Sequence, residues 1–360
     1  CGKIYKTTSN GFATTGEIFN LAYQSGIPLQ DMEFIQFHPT GLYPLGILVS
    51  EAARGEGGFL RNRLGERFME RYAPTVKDLA ARDVVSRAIL TEIREGKGIS
   101  GKDYVHLDLT HLGEEKILER LWEITSFVRI YLGIDPIYDP VPVQPTCHYL
   151  MGGIPTDIDG RVLMDEKGSI AQGLFAAGEC ACLSVHGANR LGCNSLLDLL
   201  VFGRRSGLAM KQVISKMDHK TLPNDSLRTM EERIKNLFKA NGKERVGEIR
   251  KAMQSLMMEK GSVFRNEEEM KQGIEGIQSL KERYKNIGIG EKRRVFNYEL
   301  MEAIELDHQL SLSEVILLSA LHRRESRGAH YREDFPARSD WYFLKHTLVF
   351  QNPKGPEVRY

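Results

Sequence analysis

The chain has 360 residues, 41% hydrophobic and 27% charged, with a formal net charge of +1. That is enough apolar sequence for more than one core and excludes a disordered chain, while near-neutrality gives no field of the kind that draws a protein to nucleic acid or an acidic membrane. No run approaches the ~18 apolar residues of a membrane span, and the five cysteines, with Cys180 and Cys182 as a lone C-x-C, lack metal-ligand spacing, so reduced thiols and no metal site are expected.

In chain order, a helix is predicted over Glu17–Gln24 and a strand over Met32–Phe37, which leads into His38-Pro39. Glycine-rich turns at Gly55–Gly58 precede a helix predicted over Asp78–Ile93 and a strand over Tyr104–Leu109. Gly173–Glu179 reads as a short buried strand ending in a carboxylate. The run His186–Leu197 then sets Arg190 on a loop freed by Gly187 and Gly192, opening a helix predicted through Ala209 with Asn194 or Ser195 as its cap. The unpaired N–H groups of such a helix start favour an anion, although an ordinary capped helix with a solvated Arg190 fits the same residues.

Beyond about residue 225 the apolar positions recur every three or four, as in Ile249, Met253, Leu256 and Met257 and again in Leu300, Ala303, Ile304 and Leu310; these are bundle helices with methionine as core filler. Arg323–His330 is too basic and glycine-broken for a helix interior and is expected to lie across another surface. The fingerprint G-x-G-x-x-G does not occur, so a complete dinucleotide-binding unit is not expected within these residues. The first residue is not methionine, and the chain reads as cut from something longer.

Four cationic or hydrogen-bonding residues stand out: His38 in Gln36-Phe-His-Pro-Thr-Gly41, Arg82 in Ala80-Ala-Arg-Asp-Val84, His148 in Cys147-His-Tyr-Leu-Met-Gly-Gly153, and Arg190. Each has a plain alternative: a turn histidine, an i,i+4 pair of Asp78 with Arg82 worth ~0.3 kcal/mol, a core histidine, a solvated arginine. Two arginines and two histidines around one cleft suit a small dicarboxylate, because a guanidinium grips a carboxylate through two N–H groups. Glu51 and Arg54, three apart, share one helical face and form either a proton relay or a surface ion pair.

Gln-Phe-His-Pro-Thr-Gly, Ser-Glu-x-x-Arg-Gly-Glu-Gly-Gly, Gly-Glu-Arg-Phe-Met-Glu-Arg-Tyr-Ala-Pro, Arg-Asp-Val-Val, Cys-His-Tyr-x-Met-Gly-Gly-Ile-Pro-Thr and His-Gly-Ala-Asn-Arg-Leu-Gly occur in this order, and with them the chain resembles the succinate dehydrogenase and fumarate reductase flavoprotein family. The resemblance implies an α/β plus all-α architecture: a partial FAD-binding α/β domain at 1–34 and 148–212, interrupted by an α+β capping domain at 35–147, then a helical bundle at 213–330 and a tail at 331–360. It implies oxidation of succinate to fumarate by hydride transfer to the flavin N5, with Arg82 as acid/base and Glu51 and Arg54 as its proton relay. His38, Ser50, His148 and Arg190 take the substrate carboxylates, and Glu17, Glu179, Ser195 and Leu196 contact FAD. An arginine serves as a base only in a dry site with such a relay, which makes the middle domain a lid.

The implied partners are an iron–sulfur subunit, membrane anchor subunits and quinone, with the chain peripheral on the cytoplasmic face of a bacterial inner membrane or the mitochondrial matrix side. Glu17 departs from the aspartate the family prefers, Ser50 stands where many relatives have threonine, and Cys193 replaces a glycine of some relatives. The region carrying the glycine fingerprint and the histidine that bonds FAD covalently has no counterpart in these residues, so the isolated fragment is expected to be inactive. Fumarate reductase, L-aspartate oxidase and an inactive truncated assembly subunit are the alternatives.

Overall fold

A computed structural model describes residues 2–218, 221–223, 225 and 227–360; Cys1, one of the five cysteines, lies outside them. Among the described residues, two large apolar cores and a small third cluster of Phe34, Tyr149, Met151 and Ala329 organise the chain. The residues of one all come from 42–143, among them Leu42, Leu60, Val85, Ile89, Leu107, Val128 and Val143. The other joins residues 4–37 and 147–181 to helices and short strands from 246 on, through Leu29, Met32, Ile35, Leu150, Met253, Ile277, Leu310 and Val349.

Helix α1, Glu17–Gln24, starts after Gly16, whose φ of 86° only glycine adopts without strain, and buries Phe19, Asn20, Ala22 and Tyr23 on one face. Strand β1, Ile35–Leu42, is buried at every position, so it shows none of the alternation of a half-exposed strand. It runs straight through His38-Pro39, further than its sequence pattern predicts. Next come α2, Ala52–Gly55, β2, Phe59–Arg61, and α3, Arg82–Glu92.

The helix predicted from Asp78 begins four residues later, because Ala80 and Ala81 are extended and a separate 3-10 turn holds Lys77–Leu79. The Asp78–Arg82 pair therefore does not form. Asp78 instead accepts from Arg67 Nε at 2.7 Å and from the Leu60 N–H at 2.9 Å. α3 lies against β1, where Ser86 Oγ donates to the Phe37 carbonyl at 3.0 Å.

Strands β3, Val105–Asp108, and β4, Val141–Leu150, complete an antiparallel sheet of order β1-β4-β3-β2. The β1–β4 ladder carries two irregularities. Gln36 faces Tyr149 and Phe37 faces Cys147, so His148 has no partner across the sheet. Further on, His38 faces Thr146 and Gly41 faces Gln144, which leaves one residue too many at Pro39-Thr40. Such bulges turn a strand and re-aim its side chains.

The strand predicted at Gly173–Glu179 is displaced to Ile170–Phe175 and is not buried, since Gln172, Gly173 and Leu174 are exposed. Helix α4 runs Asn194–Ile214, beyond the Ala209 expected. Neither Asn194 nor Ser195 caps it: Cys193 precedes it at φ 61°, without a side-chain cap. Helices α5, Val246–Lys260, α6, Glu267–Tyr284, and α7, Tyr298–His322, pack as the apolar spacing predicts, and Ile249, Met253 and Met257 are core residues.

The basic stretch after α7 does cross a surface, where Arg323, Glu325, Ala329 and His330 are buried and Arg324 is exposed. Arg323 donates to Glu33 at 2.5 Å and to Glu325 at 3.0 Å, while Arg332 pairs with Asp334 at 2.8 Å. Arg265 donates to the Glu33 carbonyl at 2.7 Å and to His330 Nδ1 at 2.8 Å. Among the described residues no helix is long and apolar enough to cross a membrane.

Candidate active site

The two bulges of β1–β4, the first residue of α3, the Glu51–Arg54 turn and the loop before α4 converge on one place. Arg82, the first residue of α3, donates through Nε to Glu51 Oε2 at 2.9 Å and through Nη1 to Gln36 Oε1 at 3.0 Å. Glu51 Oε1 lies 3.8 Å from Arg54 Nη2, so one carboxylate links both arginines. Arg54 is almost fully buried, donates through Nη1 to the Asp78 carbonyl, and leaves Nε and Nη2 without a hydrogen-bond partner. Burial pushes the Arg54 guanidinium below the usual arginine range; the Glu51 charge opposes this and Arg82 adds to it.

Arg190 arrives from the loop. Its Nη2 contacts Gln36 Oε1 at 3.4 Å, its Nη1 donates to Ser195 Oγ at 3.1 Å, and its Nε is buried without a partner. Its guanidinium lies over the Tyr149 ring, 4.3 Å from the centroid. Burial first, and Arg82 second, depress its pKa. A side chain at Gly192 would meet Arg82 Nη2 at 3.2 Å and Glu51 Oε2 at 3.3 Å, so the bare backbone there lets the loop close on this ion pair.

His38 and His148 stack edge to face with centroids 5.3 Å apart. Burial, then the neighbouring Arg82, holds both rings below the usual histidine range, His148 at about 3. Both are therefore neutral at pH 7. Two of the three arginines thus meet one carboxylate, that of Glu51, while Arg190 pairs with none, and among the described residues His38 Nε2 and Arg190 Nε have no hydrogen-bond partner. A buried polar set with excess positive charge and open donors is suited to an anion with more than one carboxylate.

The predicted residues divide. Arg82, Glu51, Arg54, His38, His148 and Arg190 come together. Ser50 adjoins Glu51 in sequence, but its exposed hydroxyl accepts from Ala52 N–H at 3.3 Å within its own turn. Glu17 is not brought to this cluster; it opens α1, and its charge acts on His308 of α7.

Sequence reasoning missed Gln36, the residue that ties the cluster together: its Oε1 accepts from both Arg82 and Arg190, and its Nε2 donates to the Arg190 carbonyl at 2.7 Å and to Asn189 Oδ1 at 2.8 Å. A signal existed, since Gln36 stands two residues before His38 and strand positions i and i+2 share a face. Asn189, which donates to Asp83 Oδ1 at 2.8 Å and so ties the loop to α3, and Ser9, 2.8 Å from His148 Nδ1, gave none.

Beside the cluster, the start of α4 offers the complement of a planar nucleotide cofactor. Leu191, Leu196 and Leu200 are 76%, 61% and 73% exposed, an apolar surface of the kind a flavin ring covers. Asp198 Oδ1 is buried without a partner. Glu179 is largely buried, accepts from Leu150 N–H at 3.2 Å, and is raised above the usual carboxylate range by that burial; a buried carboxylate here is an acceptor for sugar hydroxyls. The chemistry of these residues fits part of an FAD site.

The site thus sets a cationic cleft suited to a dicarboxylate beside a helix start suited to a nucleotide cofactor, the parts that a flavin-dependent oxidoreductase requires. Residues 2–196 match the FAD binding domain family, and residues 250–360 match the C-terminal domain of fumarate reductase flavoproteins. The chain is 48% identical over 356 residues to the succinate dehydrogenase flavoprotein subunit of Coxiella burnetii, covering 98% of this chain and 61% of that protein. Its mitochondrial counterpart from Oryza sativa is 45% identical over 364 residues, covering 100% and 58%. A solved structure of E. coli quinol fumarate reductase superimposes with a TM-score of 0.92 at 40% identity, covering 100% of this chain and 63% of that one. The chain belongs to the succinate dehydrogenase and fumarate reductase flavoprotein family, and it spans about three fifths of the length of the curated relatives it matches.

Proposed function

We propose that this chain carries the dicarboxylate-handling part of a succinate dehydrogenase flavoprotein, which oxidises succinate to fumarate. The observation that carries this reading is the chain of contacts from Arg82 through Glu51 to Arg54, set among Arg190, His38 and His148. Arg190 and the two neutral imidazoles hold the substrate carboxylates, and Ser50 joins them from its exposed turn. FAD, when bound against Glu179, Ser195, Leu196 and Glu17, supplies the acceptor for the two electrons and the hydrogen removed from one methylene carbon.

Arg82 takes the proton from the neighbouring carbon and Glu51 passes it toward Arg54, whose guanidinium burial holds below the usual arginine range and so disposes it to release a proton. The same groups run in reverse for fumarate reduction. That direction is the second reading, favoured by the TM-score of 0.92 to a quinol fumarate reductase against 0.83 to a Mycobacterium smegmatis Sdh1.

The apolar face of α4 packs, in this reading, against sequence that the longer relatives possess and that these residues do not cover. Electrons pass to an iron–sulfur subunit and on to quinone at membrane anchor subunits, which hold the chain at the cytoplasmic or matrix face of a membrane. Within the arginine and histidine cluster the one described carboxylate, Glu51, is engaged by two arginines and is not free to meet an added ammonium group; this supports succinate over L-aspartate as substrate. Steady-state assay of the intact protein with succinate, fumarate and L-aspartate tests it. Turnover of succinate and fumarate is expected, and turnover of L-aspartate alone rejects the reading.

A further inference from the structure

The two histidines of the site are held by donors from outside the set so far assigned, and in the same way. Ser9 Oγ lies 2.8 Å from His148 Nδ1 and 3.4 Å from the Cys147 carbonyl. That carbonyl already accepts from Ser9 N–H at 2.9 Å and from Thr8 Oγ1 at 2.9 Å, which fills its two lone pairs. The Ser9 hydroxyl proton is therefore free to go to the imidazole. Asn10 Nδ2, which donates to the His148 carbonyl at 2.9 Å, fixes the backbone of the bulged residue from the same segment.

At the second bulge, Thr40 N–H donates to His38 Nδ1 at 3.3 Å, across the extra residue of Pro39-Thr40. Thr40 Oγ1 lies at the same 3.3 Å from Nδ1, but its proton is committed to the Val49 carbonyl at 2.8 Å. Thr40 Oγ1 keeps lone pairs, but the amide N–H is directed at Nδ1 and a proton there would meet it head on, which makes Nδ1 of His38 the acceptor.

We propose that Ser9 and the Thr40 amide are positioning groups that fix His148 and His38 in the Nε2–H tautomer, so that the site presents two uncharged N–H donors beside its arginines. The consequence is a matter of specificity. Two imidazoles locked as donors favour a ligand that brings acceptors only, as a fully ionised dicarboxylate does, and give nothing to a hydroxyl or ammonium proton in their place. Sequence separation hides this, because Ser9 and His148 lie 139 residues apart. The consequence for substrate choice rests on the dicarboxylate reading above; the tautomer does not.

Long-range proton–nitrogen NMR of the intact protein labelled with nitrogen-15 histidine, without ligand, reads the tautomer directly, with Ser9→Ala, Ser9→Thr and His148→Gln for assignment. Wild type and Ser9→Thr are expected to show both rings protonated at Nε2 alone, and Ser9→Ala to show a mixture at His148 only. Calorimetric titration with malonate, an unreactive dicarboxylate, is expected to weaken about tenfold in Ser9→Ala and to recover in Ser9→Thr. An Nδ1–H signal at His148 in wild type, or a His148 tautomer unchanged by Ser9→Ala, overturns the proposal. Absence of malonate binding in wild type with the expected tautomers instead rejects the dicarboxylate reading and leaves the tautomer assignment standing.

Discussion

Two clusters of buried arginines lie in this molecule, and they differ in how their charge is met. Arg323 and Arg332 are held by Glu33, Glu325 and Asp334 at 2.5–3.0 Å, and Arg265 is spent on backbone carbonyls and a histidine. Arg54 and Arg82 share the one carboxylate of Glu51; among the described residues Arg190 has no ion pair, and Arg54 and Arg190 keep unpartnered nitrogens. Burial is nearly equal in the two places, so burial does not distinguish them. The difference teaches that a compensated buried charge fixes architecture, here the path of the chain after α7, whereas an uncompensated one marks where an anion belongs.

Substitutions should act differently on the two clusters. The largest effect is expected from Arg82→Lys, which keeps the charge and loses the fork that engages Glu51 and Gln36 together. Turnover is expected to fall about 10³–10⁴-fold with malonate affinity within a few-fold of wild type, measured by steady-state kinetics and calorimetry. Glu33→Gln in the compensated cluster is expected to cost about 3 kcal/mol of stability, read by denaturant unfolding, with malonate affinity unchanged. A comparable loss of turnover in a folded Glu33→Gln protein, or an Arg82→Lys protein that loses stability but not turnover, would erase the distinction.

His148 is held at about 3 against an ordinary 6.5, and His38 is also lowered. Between the folded and unfolded values the unfolded chain binds more protons, so their contribution is fully favourable above about 6.5 and is lost progressively as pH falls toward about 3. Unfolding measured from pH 7 to pH 5 is expected to show stability falling with acidification, with a shallower slope in His148→Gln. The smallest effect concerns the entry to α4. Cys193 holds φ 61°, a conformation that favours glycine, so Cys193→Gly is expected to stabilise by about 0.5–1 kcal/mol, seen as a small rise in Tm.

Much of the fold and site was legible because each element announced itself locally. The bundle helices follow their 3.6-residue spacing, and Glu51 with Arg54 pair across one turn as their separation predicts. The errors came where tertiary contacts overrode a local pattern. Asp78 and Arg82 have the spacing of a helical pair, yet Asp78 is taken by Arg67 and the Leu60 amide, and Arg82 by Glu51 and Gln36. Gly173–Glu179 is apolar enough to suggest a buried strand, but its flank on α4 is itself exposed leucine. The bulges that aim His38 and His148 depend on the register between two strands, which neither strand encodes alone.

The most direct test of the central claim is thermal unfolding of the intact protein with malonate, with the monocarboxylate propionate, and with neither, repeated in Arg190→Gln. If uncompensated cations mark a dicarboxylate site, malonate at ~100 Kd stabilises the wild type by about 2.7 kcal/mol, propionate has little effect, and Arg190→Gln loses most of the response. Equal stabilisation by the two acids, or a malonate response that survives in Arg190→Gln, contradicts the account.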